Sequence, residues 1–106
     1  MRFDHYQSGL LYGIRYAFKA GERLWPHEHA GETADQVHNI IVLAGTVVFK
    51  DPDGSLILTT GTVHDFDGSR PHSIYAPEPA VILNLMLYGK PASFDDYSED
   101  QKHGEA

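Results

Sequence analysis

The chain has no cysteine among its 106 residues. This absence excludes disulfide bonds and thiolate ligands, so nitrogen or oxygen atoms must hold any bound metal ion. No apolar run approaches the roughly 20 residues that a membrane helix needs, which indicates that the chain does not span a bilayer. The first residues also lack the apolar segment of a signal peptide. These absences predict a cytoplasmic protein without a membrane partner.

Positive charge is scarce as well. Lys and Arg number 8 against 15 Asp and Glu, which gives a formal net charge of −7. No basic stripe is present to displace phosphate counterions, so nucleic acid is disfavoured as a partner. The apolar fraction of 42% and the charged fraction of 22% are ordinary for a globular protein. We therefore expect one domain over residues 1–106 with a real hydrophobic core.

Strand patterns take the place of helical periodicity in the middle of the chain. Between residues 10 and 19 every second side chain is apolar, which predicts a half-buried strand: Leu10, Tyr12, Ile14, Tyr16 and Phe18. Further strands are predicted at 24–29, 37–49, 56–60, 63–66, 72–76 and 80–88, the last being apolar enough for burial on both faces. A hairpin turn is predicted at 51–54, where Pro and Asp-Gly favour one. Many short strands predict an all-β sandwich or barrel, with a core at about 10–88 and a polar tail at 89–106.

Four of the seven histidines lie beside or inside these strands. His27 and His29 share a strand face, so their imidazoles emerge about 6 to 7 Å apart and can chelate one ion. His38 enters the next strand, and His72 begins another. Histidine is the commonest side-chain metal ligand, so this arrangement predicts one metal site. His64 falls outside it and is expected to be structural, whereas His5 and His103 near the termini are expected to be solvated.

The spacing of these histidines resembles the first motif of the cupin superfamily. That motif reads Gly, five residues, His-x-His, a few residues, Glu, six residues, Gly. Gly21, His27, His29 and Gly45 fit it, and His38 occupies the glutamate position. The loop before His38 is longer than usual, and Glu32 and Asp35 within it are alternative ligands. The count back from Gly45 favours His38.

The second cupin motif is matched in part. It reads Gly, five residues, Pro-x-Gly, two residues, His, three residues, Asn. Gly61, Gly68 and His72 match its fixed points, with one residue added before His72. Phe66 or Asp67 stands near the proline place, and Ala76 occupies the asparagine place.

The resemblance implies a jelly-roll β-barrel (a double-stranded β-helix) that binds one divalent transition metal. His27, His29, His38 and His72 would be its ligands, a set without a carboxylate that is similar to a known cupin variant. Ligand type does not choose among Zn, Fe, Ni, Mn and Cu. Cupins often pair through sheet edges, so a homodimer is expected.

Four further residues are expected to line the pocket. Trp25 shares a strand face with His27, and Ile74 shares the inward side of its strand with His72. Ile40 follows His38 at the same two-residue interval. Asn84 is the one amide in the apolar run at 81–87, and a buried amide must find partners.

The function expected from these features is a metal-dependent enzyme of the oxygenase, isomerase or lyase type. Its substrate would be a small polar or anionic metabolite. Glu32 and Asp35 are better candidates for a general base than Glu28, which points away from the ligand face. Two alternatives stay open: a non-catalytic cupin in which a small ligand or a structural metal is bound, and a barrel without metal.

Overall fold

A computed structural model of the chain describes residues 1–27, 37–67 and 70–87, with the backbone alone at 25–27, 37 and 87. Within these ranges there are nine strands and no helix, and hence no helix long and apolar enough to cross a membrane. The strands are β1 (Arg2–Ser8), β2 (Leu11–Phe18), β3 (Arg23–His27), β4 (Val37–Ala44), β5 (Thr46–Asp51), β6 (Gly54–Thr59), β7 (Val63–Asp65), β8 (His72–Tyr75) and β9 (Ala80–Leu87).

The strands form two antiparallel sheets that share one core. The five-stranded sheet has the order β1-β2-β9-β4-β7, and the four-stranded sheet has the order β3-β8-β5-β6. Successive side chains of a strand point to opposite faces, so each strand supplies every second residue to the core. The all-β prediction is confirmed. The buried apolar side chains are Tyr12, Ile14, Tyr16, Phe18, Leu24, Ile40, Val42, Val47, Phe49, Leu58, Ile74, Ala76, Ala80, Ile82 and Met86.

β2 follows the predicted alternation except at its start. Tyr12, Ile14, Tyr16 and Phe18 are buried, as expected. Leu10 lies in the turn that precedes β2 and is 41% exposed, so it does not belong to the buried face.

β9 differs from its prediction. It lies between β2 and β4, and only Ala80, Ile82, Asn84 and Met86 are buried, while the side chains between them are half-buried. The prediction of burial on both faces was wrong for this chain because the second sheet covers only one face of the first.

β1 was not predicted from the sequence. It pairs with β2 along its whole length, from Arg2 opposite Ala17 to Ser8 opposite Leu11. Phe3 is the one apolar side chain on the inner face of this strand, where His5 and Gln7 follow it, so its alternation is too weak to indicate a strand.

Two glycines lie at tight turns, and the one at Gly45 divides the predicted strand 37–49 into β4 and β5. Gly45 has φ 79° between β4 and β5, and Gly54 has φ 133° at the start of β6. Both values lie in the region that favours glycine. At Gly45 there is also no room for a side chain, because a Cβ would collide with the carbonyl oxygen of Pro79.

Candidate functional site

Two of the predicted ligand histidines meet in the interior from opposite sheets. His38 lies on β4 of the five-stranded sheet and His72 on β8 of the four-stranded sheet. Only 2% of His38 and 3% of His72 is exposed. The centres of the two rings are 5.9 Å apart, and the ring planes are nearly perpendicular at 83°.

The orientation of the His72 ring is set by a backbone group. Its Nδ1 lies 2.8 Å from the carbonyl oxygen of Arg70. A carbonyl oxygen can only accept, so Nδ1 must carry the proton. In the neutral ring the lone pair is then on Nε2, the arrangement that metal-binding histidines commonly show.

The spacing of the pair fits one shared ion. A histidine nitrogen lies about 2.1 Å from a bound zinc, so two rings on one ion have centres roughly 5 to 6 Å apart. Within residues 1–27, 37–67 and 70–87, however, no three His, Asp or Glu side chains are close enough to hold a metal. The two described histidines are thus half of the predicted ligand set.

For the other predicted ligands the structure describes at most the backbone. The backbone of His27 is paired with that of His72 in the β3–β8 register, after an irregularity that follows Leu24. His29, Glu32 and Asp35 lie outside the described residues, as does the side chain of Trp25.

Aromatic rings pack against the histidine pair. The Phe66 ring centre is 4.2 Å from that of His38 and 4.8 Å from that of His72. The backbone N–H of Phe66 donates to the carbonyl oxygen of His38 at 3.0 Å. Phe49, only 1% exposed, lies 4.9 Å from Phe66 and stacks at 6.2 Å on His72. These rings make an apolar wall that lowers the local dielectric around the imidazoles.

A row of paired residues crosses the inner face of the five-stranded sheet next to His38. It runs His5, Ile14, Asn84, Ile40, His64 from β1 to β7, each residue opposite the next. The prediction that His5 is solvated was wrong: it is half-buried, with its ring edge-on to Phe3 at 5.6 Å. His64 is also half-buried, 4.8 Å from the Phe49 ring.

The neighbouring row contains His38 itself. It runs Gln7, Tyr12, Met86, His38, and the Gln7 Nε2 donates to the Tyr12 hydroxyl at 3.1 Å. Sequence reasoning assigned no role in the site to Gln7 or to the Tyr12 hydroxyl. The two-residue period of β2 indicates that Tyr12 points inward, but the strand that carries Gln7 was missed.

The predicted pocket residues with described side chains are all inside the barrel. Ile40 is fully buried and Ile74 is 1% exposed, on β4 and β8 respectively. Asn84 is 3% exposed, and its Oδ1 has no hydrogen-bond partner among the described residues.

No family model and no curated protein matches the sequence. Solved structures do match it. A crystal structure of an RmlC-like cupin protein from Desulfovibrio desulfuricans has 28% sequence identity and a TM-score of 0.69, over 81% of this chain and 82% of that chain. The chain has the fold of a small cupin domain.

Two other cupin structures agree in fold at lower identity. KdgF from Halomonas sp. is 19% identical with a TM-score of 0.69, over 85% of this chain and 78% of that chain. The Cupin_2 domain of an XRE family transcriptional regulator from Enterobacter cloacae is 16% identical with a TM-score of 0.66, over 84% of this chain and 97% of that one. The predicted jelly-roll barrel is confirmed, and this fold is suited to binding a small ligand.

A surface ion pair anchors the loop that leads to His72 in this cupin domain. Arg70 donates from Nη1 and Nη2 to the two carboxylate oxygens of Asp53, at 2.9 and 3.2 Å. These hydrogen bonds, and the attraction of the opposite charges, lower the pKa of Asp53 and raise that of Arg70. Because the Arg70 carbonyl oxygen accepts a hydrogen bond from Nδ1 of His72, Arg70 connects the β5–β6 hairpin to the site.

Proposed function

We propose that this cupin domain holds one divalent transition metal through His27, His29, His38 and His72. We propose further that it acts as a metal-dependent enzyme, of the oxygenase, isomerase or lyase type, on a small polar or anionic metabolite. The observation that supports this best is the buried pair His38 and His72. Two strands on opposite sheets place these imidazoles 5.9 Å apart in the interior.

The chain's own groups supply the environment for such chemistry. A metal held by neutral imidazoles keeps its full charge, and it would polarise an oxygen atom of a bound ligand or water. Phe49 and Phe66 exclude water from one side of the histidines and so strengthen electrostatic interactions there. The carbonyl oxygen of Arg70 accepts a hydrogen bond from Nδ1 of His72, which leaves Nε2 as the nitrogen of that ring with a free lone pair in its neutral form.

One structural neighbour supports a second, non-catalytic function. The Enterobacter cloacae structure is a cupin domain of a transcriptional regulator, and it is matched over 97% of its length. A cupin of this size can therefore be part of a regulatory protein. In that alternative, this barrel binds a small ligand or a structural metal without turning it over.

Elemental analysis of protein purified without an affinity tag tests the metal site. We expect about one transition metal per chain in the wild type, and loss of that metal in His38→Ala and His72→Ala. His64→Ala is the matched control, since His64 also packs beside Phe49 but is not one of the proposed ligands. Absence of metal after reconstitution, or equal loss in His64→Ala, would contradict the proposal.

Turnover assays of the metal-loaded protein then distinguish the enzymatic function from the non-catalytic one. We expect turnover of at least one member of a panel of small polar and anionic metabolites, assayed with and without oxygen. Loss of that turnover in His72→Ala ties it to the site. A tightly held metal without exchangeable water, together with no turnover, would favour the non-catalytic function.

We also propose that the protein is a homodimer that buries the outer face of its five-stranded sheet. Part of this face is apolar and solvent-accessible: Leu11 is 41% exposed and Leu43 46% exposed. Leu83 and Leu85, on the central strand, lie half-buried beside them in one groove. Apolar surface of this kind favours association with a second copy.

A further inference from the structure

The outer face of the four-stranded sheet differs in charge from the chain as a whole. Its side chains alternate along each strand with the buried ones, so they can be read from the burial pattern. The described outward positions are Arg23, Thr46, Val48, Lys50, Ser55, Ile57, Thr59, Ser73 and Tyr75. None of these nine is acidic, although the sequence has 15 Asp and Glu against 8 Lys and Arg. This face therefore presents positive charge without a carboxylate among its described outward side chains.

A cavity of about 340 Å³ opens on this face along β8. All four residues of that strand, His72–Tyr75, line it. The side chains of His72 and Ile74 are buried toward the core, so those of Ser73 and Tyr75 are the ones that face outward. A ligand can therefore reach the cavity from solvent without entering the barrel.

The walls of the cavity are mostly apolar. Pro52, from the β5–β6 turn, and Pro71, which precedes β8, line it together with the Tyr75 ring. Cavities of this size that combine apolar walls with a few polar groups are typical of small-molecule sites. The walls thus favour a ligand with an apolar body.

Two cations lie on either side of β8. Lys50 on β5 is directly opposite Ser73, and Arg23 on β3 is directly opposite Tyr75. Side chains paired in this way have Cβ atoms about 4.5 to 5.5 Å apart, so an anion beside Lys50 is also within reach of the Ser73 hydroxyl. The Arg23 guanidinium lies over the Tyr75 ring, 4.9 Å from its centre, and this contact holds a flat cation at the cavity.

The two carboxylates that follow Lys50 in the chain are engaged in the hairpin. Asp51, which also lines the cavity, accepts a hydrogen bond from the backbone N–H of Asp53 at 2.9 Å. The carboxylate of Asp53 is bound by Arg70. No carboxylate in the described part of the chain forms an ion pair with Lys50. An anion in the cavity would therefore supply the counter-charge for this ammonium group.

We propose that this cavity binds a small aromatic carboxylate. The carboxylate accepts hydrogen bonds from the Lys50 ammonium and the Ser73 hydroxyl, while the ring packs against Tyr75, Arg23 and the two prolines. An aromatic body suits this cavity because guanidinium groups stack on ring faces. The cavity is on the outer face of the sheet and the histidine pair is in the interior, so the inference does not depend on a bound metal.

Isothermal titration of the full chain with three acids and their amides tests this inference. The probes are benzoate, phenylacetate and 3-phenylpropionate, each compared with the neutral amide of the same carbon skeleton. We expect at least one acid to bind about tenfold more tightly than its amide, the difference that a charge-assisted hydrogen bond makes. If no acid binds more tightly than its amide, the inference is overturned.

Lys50→Gln tests the source of the preference for the acid. The ratio of acid to amide affinity should fall to about twofold or less, whereas the affinity for the amide is retained. Lys19→Gln is the matched control, because Lys19 is also exposed but lies outside the cavity, between β2 and β3. The tenfold ratio should persist in this control. An equal loss in both variants would show only a response to net charge and would overturn the inference.

Tyr75→Val tests the contact with the ring of the ligand. This variant removes the aromatic wall and keeps a residue that favours strands. The acid and its amide should each bind severalfold more weakly, with the ratio between them unchanged. Unchanged affinities for both probes would show that the ligand does not touch Tyr75, and the proposed site would be wrong.

NMR of the titrated protein locates the bound acid. The backbone amide signals of Ser73 and Tyr75 should shift during the titration. Shifts confined to Leu83 and Leu85 would place the acid in the groove on the other sheet and overturn the inference. Loss of binding in His38→Ala would place the carboxylate on the proposed metal instead. That result would overturn this inference and leave the proposed metal site standing.

Discussion

Gly45 is the position where the structure predicts the sharpest loss of stability from a single methyl group. It joins β4 to β5 with φ 79°. A Cβ added there would collide with the Pro79 carbonyl oxygen and lie 3.0 Å from both Cα and Cβ of Ala80. The contacted atoms are mostly backbone, so no flexible side chain can move aside.

The expected cost of Gly45→Ala has two parts. A left-handed backbone costs a non-glycine residue about 1 to 2 kcal/mol. Overpacking against a fixed neighbour adds about 1 to 3 kcal/mol. We therefore expect the free energy of unfolding to fall by about 2 to 5 kcal/mol, a large share of the stability of a domain of this size.

Comparison with Gly61→Ala separates the steric cost at Gly45 from the backbone cost. Gly61 has φ 90°, but nothing lies within 4 Å of a Cβ built there. This variant should lose only the backbone cost of about 1 to 2 kcal/mol. Urea unfolding followed by circular dichroism measures both variants, with slopes of about 1 to 3 kcal/mol per molar urea. Equal losses in the two variants would show that the Pro79 contact does not limit this turn, and the reasoning would fail.

Two other predictions concern the surface. Leu43→Glu should convert the proposed dimer to a monomer, as measured by light scattering. Ile57→Glu should leave the dimer intact, although Ile57 is 73% exposed, because it lies on the other sheet. A monomeric wild type would refute the interface. The pKa of Asp53 should lie below its ordinary value of 3.8 because Arg70 donates two hydrogen bonds to it. Its stabilising effect is then complete above pH 3.8 and is lost as the pH falls through the lowered pKa. An NMR titration checks this, and Arg70→Gln should return the pKa to its ordinary value.

Local patterns in the sequence predicted most of the strands. The alternation from Tyr12 to Phe18 and the hairpin turn at 51–54 each depend on residues close in the chain, and both are observed. The inward positions of His38 and His72 follow from the same two-residue period, once the strands are placed.

What the sequence could not predict depends on contacts between distant segments. β1 is held by pairing with β2, and its inner face has only Phe3 as an apolar anchor, against Tyr16 at 6.4 Å. His5 is half-buried because of that pairing and not because of its neighbours in the sequence. The half-exposed outer face of β9 likewise depends on which side of the sheet the second sheet covers. The assignments of His27, His29 and Trp25 stay predictions.

The histidine pair is a product of the whole sandwich, because no single hairpin carries both members. His38 and His72 belong to different sheets, and Phe66 contacts both rings from the segment that follows β7. Arg70 then fixes the His72 ring through its carbonyl, while its side chain binds Asp53 on the β5–β6 turn. A change at an exposed turn can therefore alter the orientation of a buried imidazole. It follows that the integrity of this site depends on the docking of the two sheets as much as on the histidines themselves.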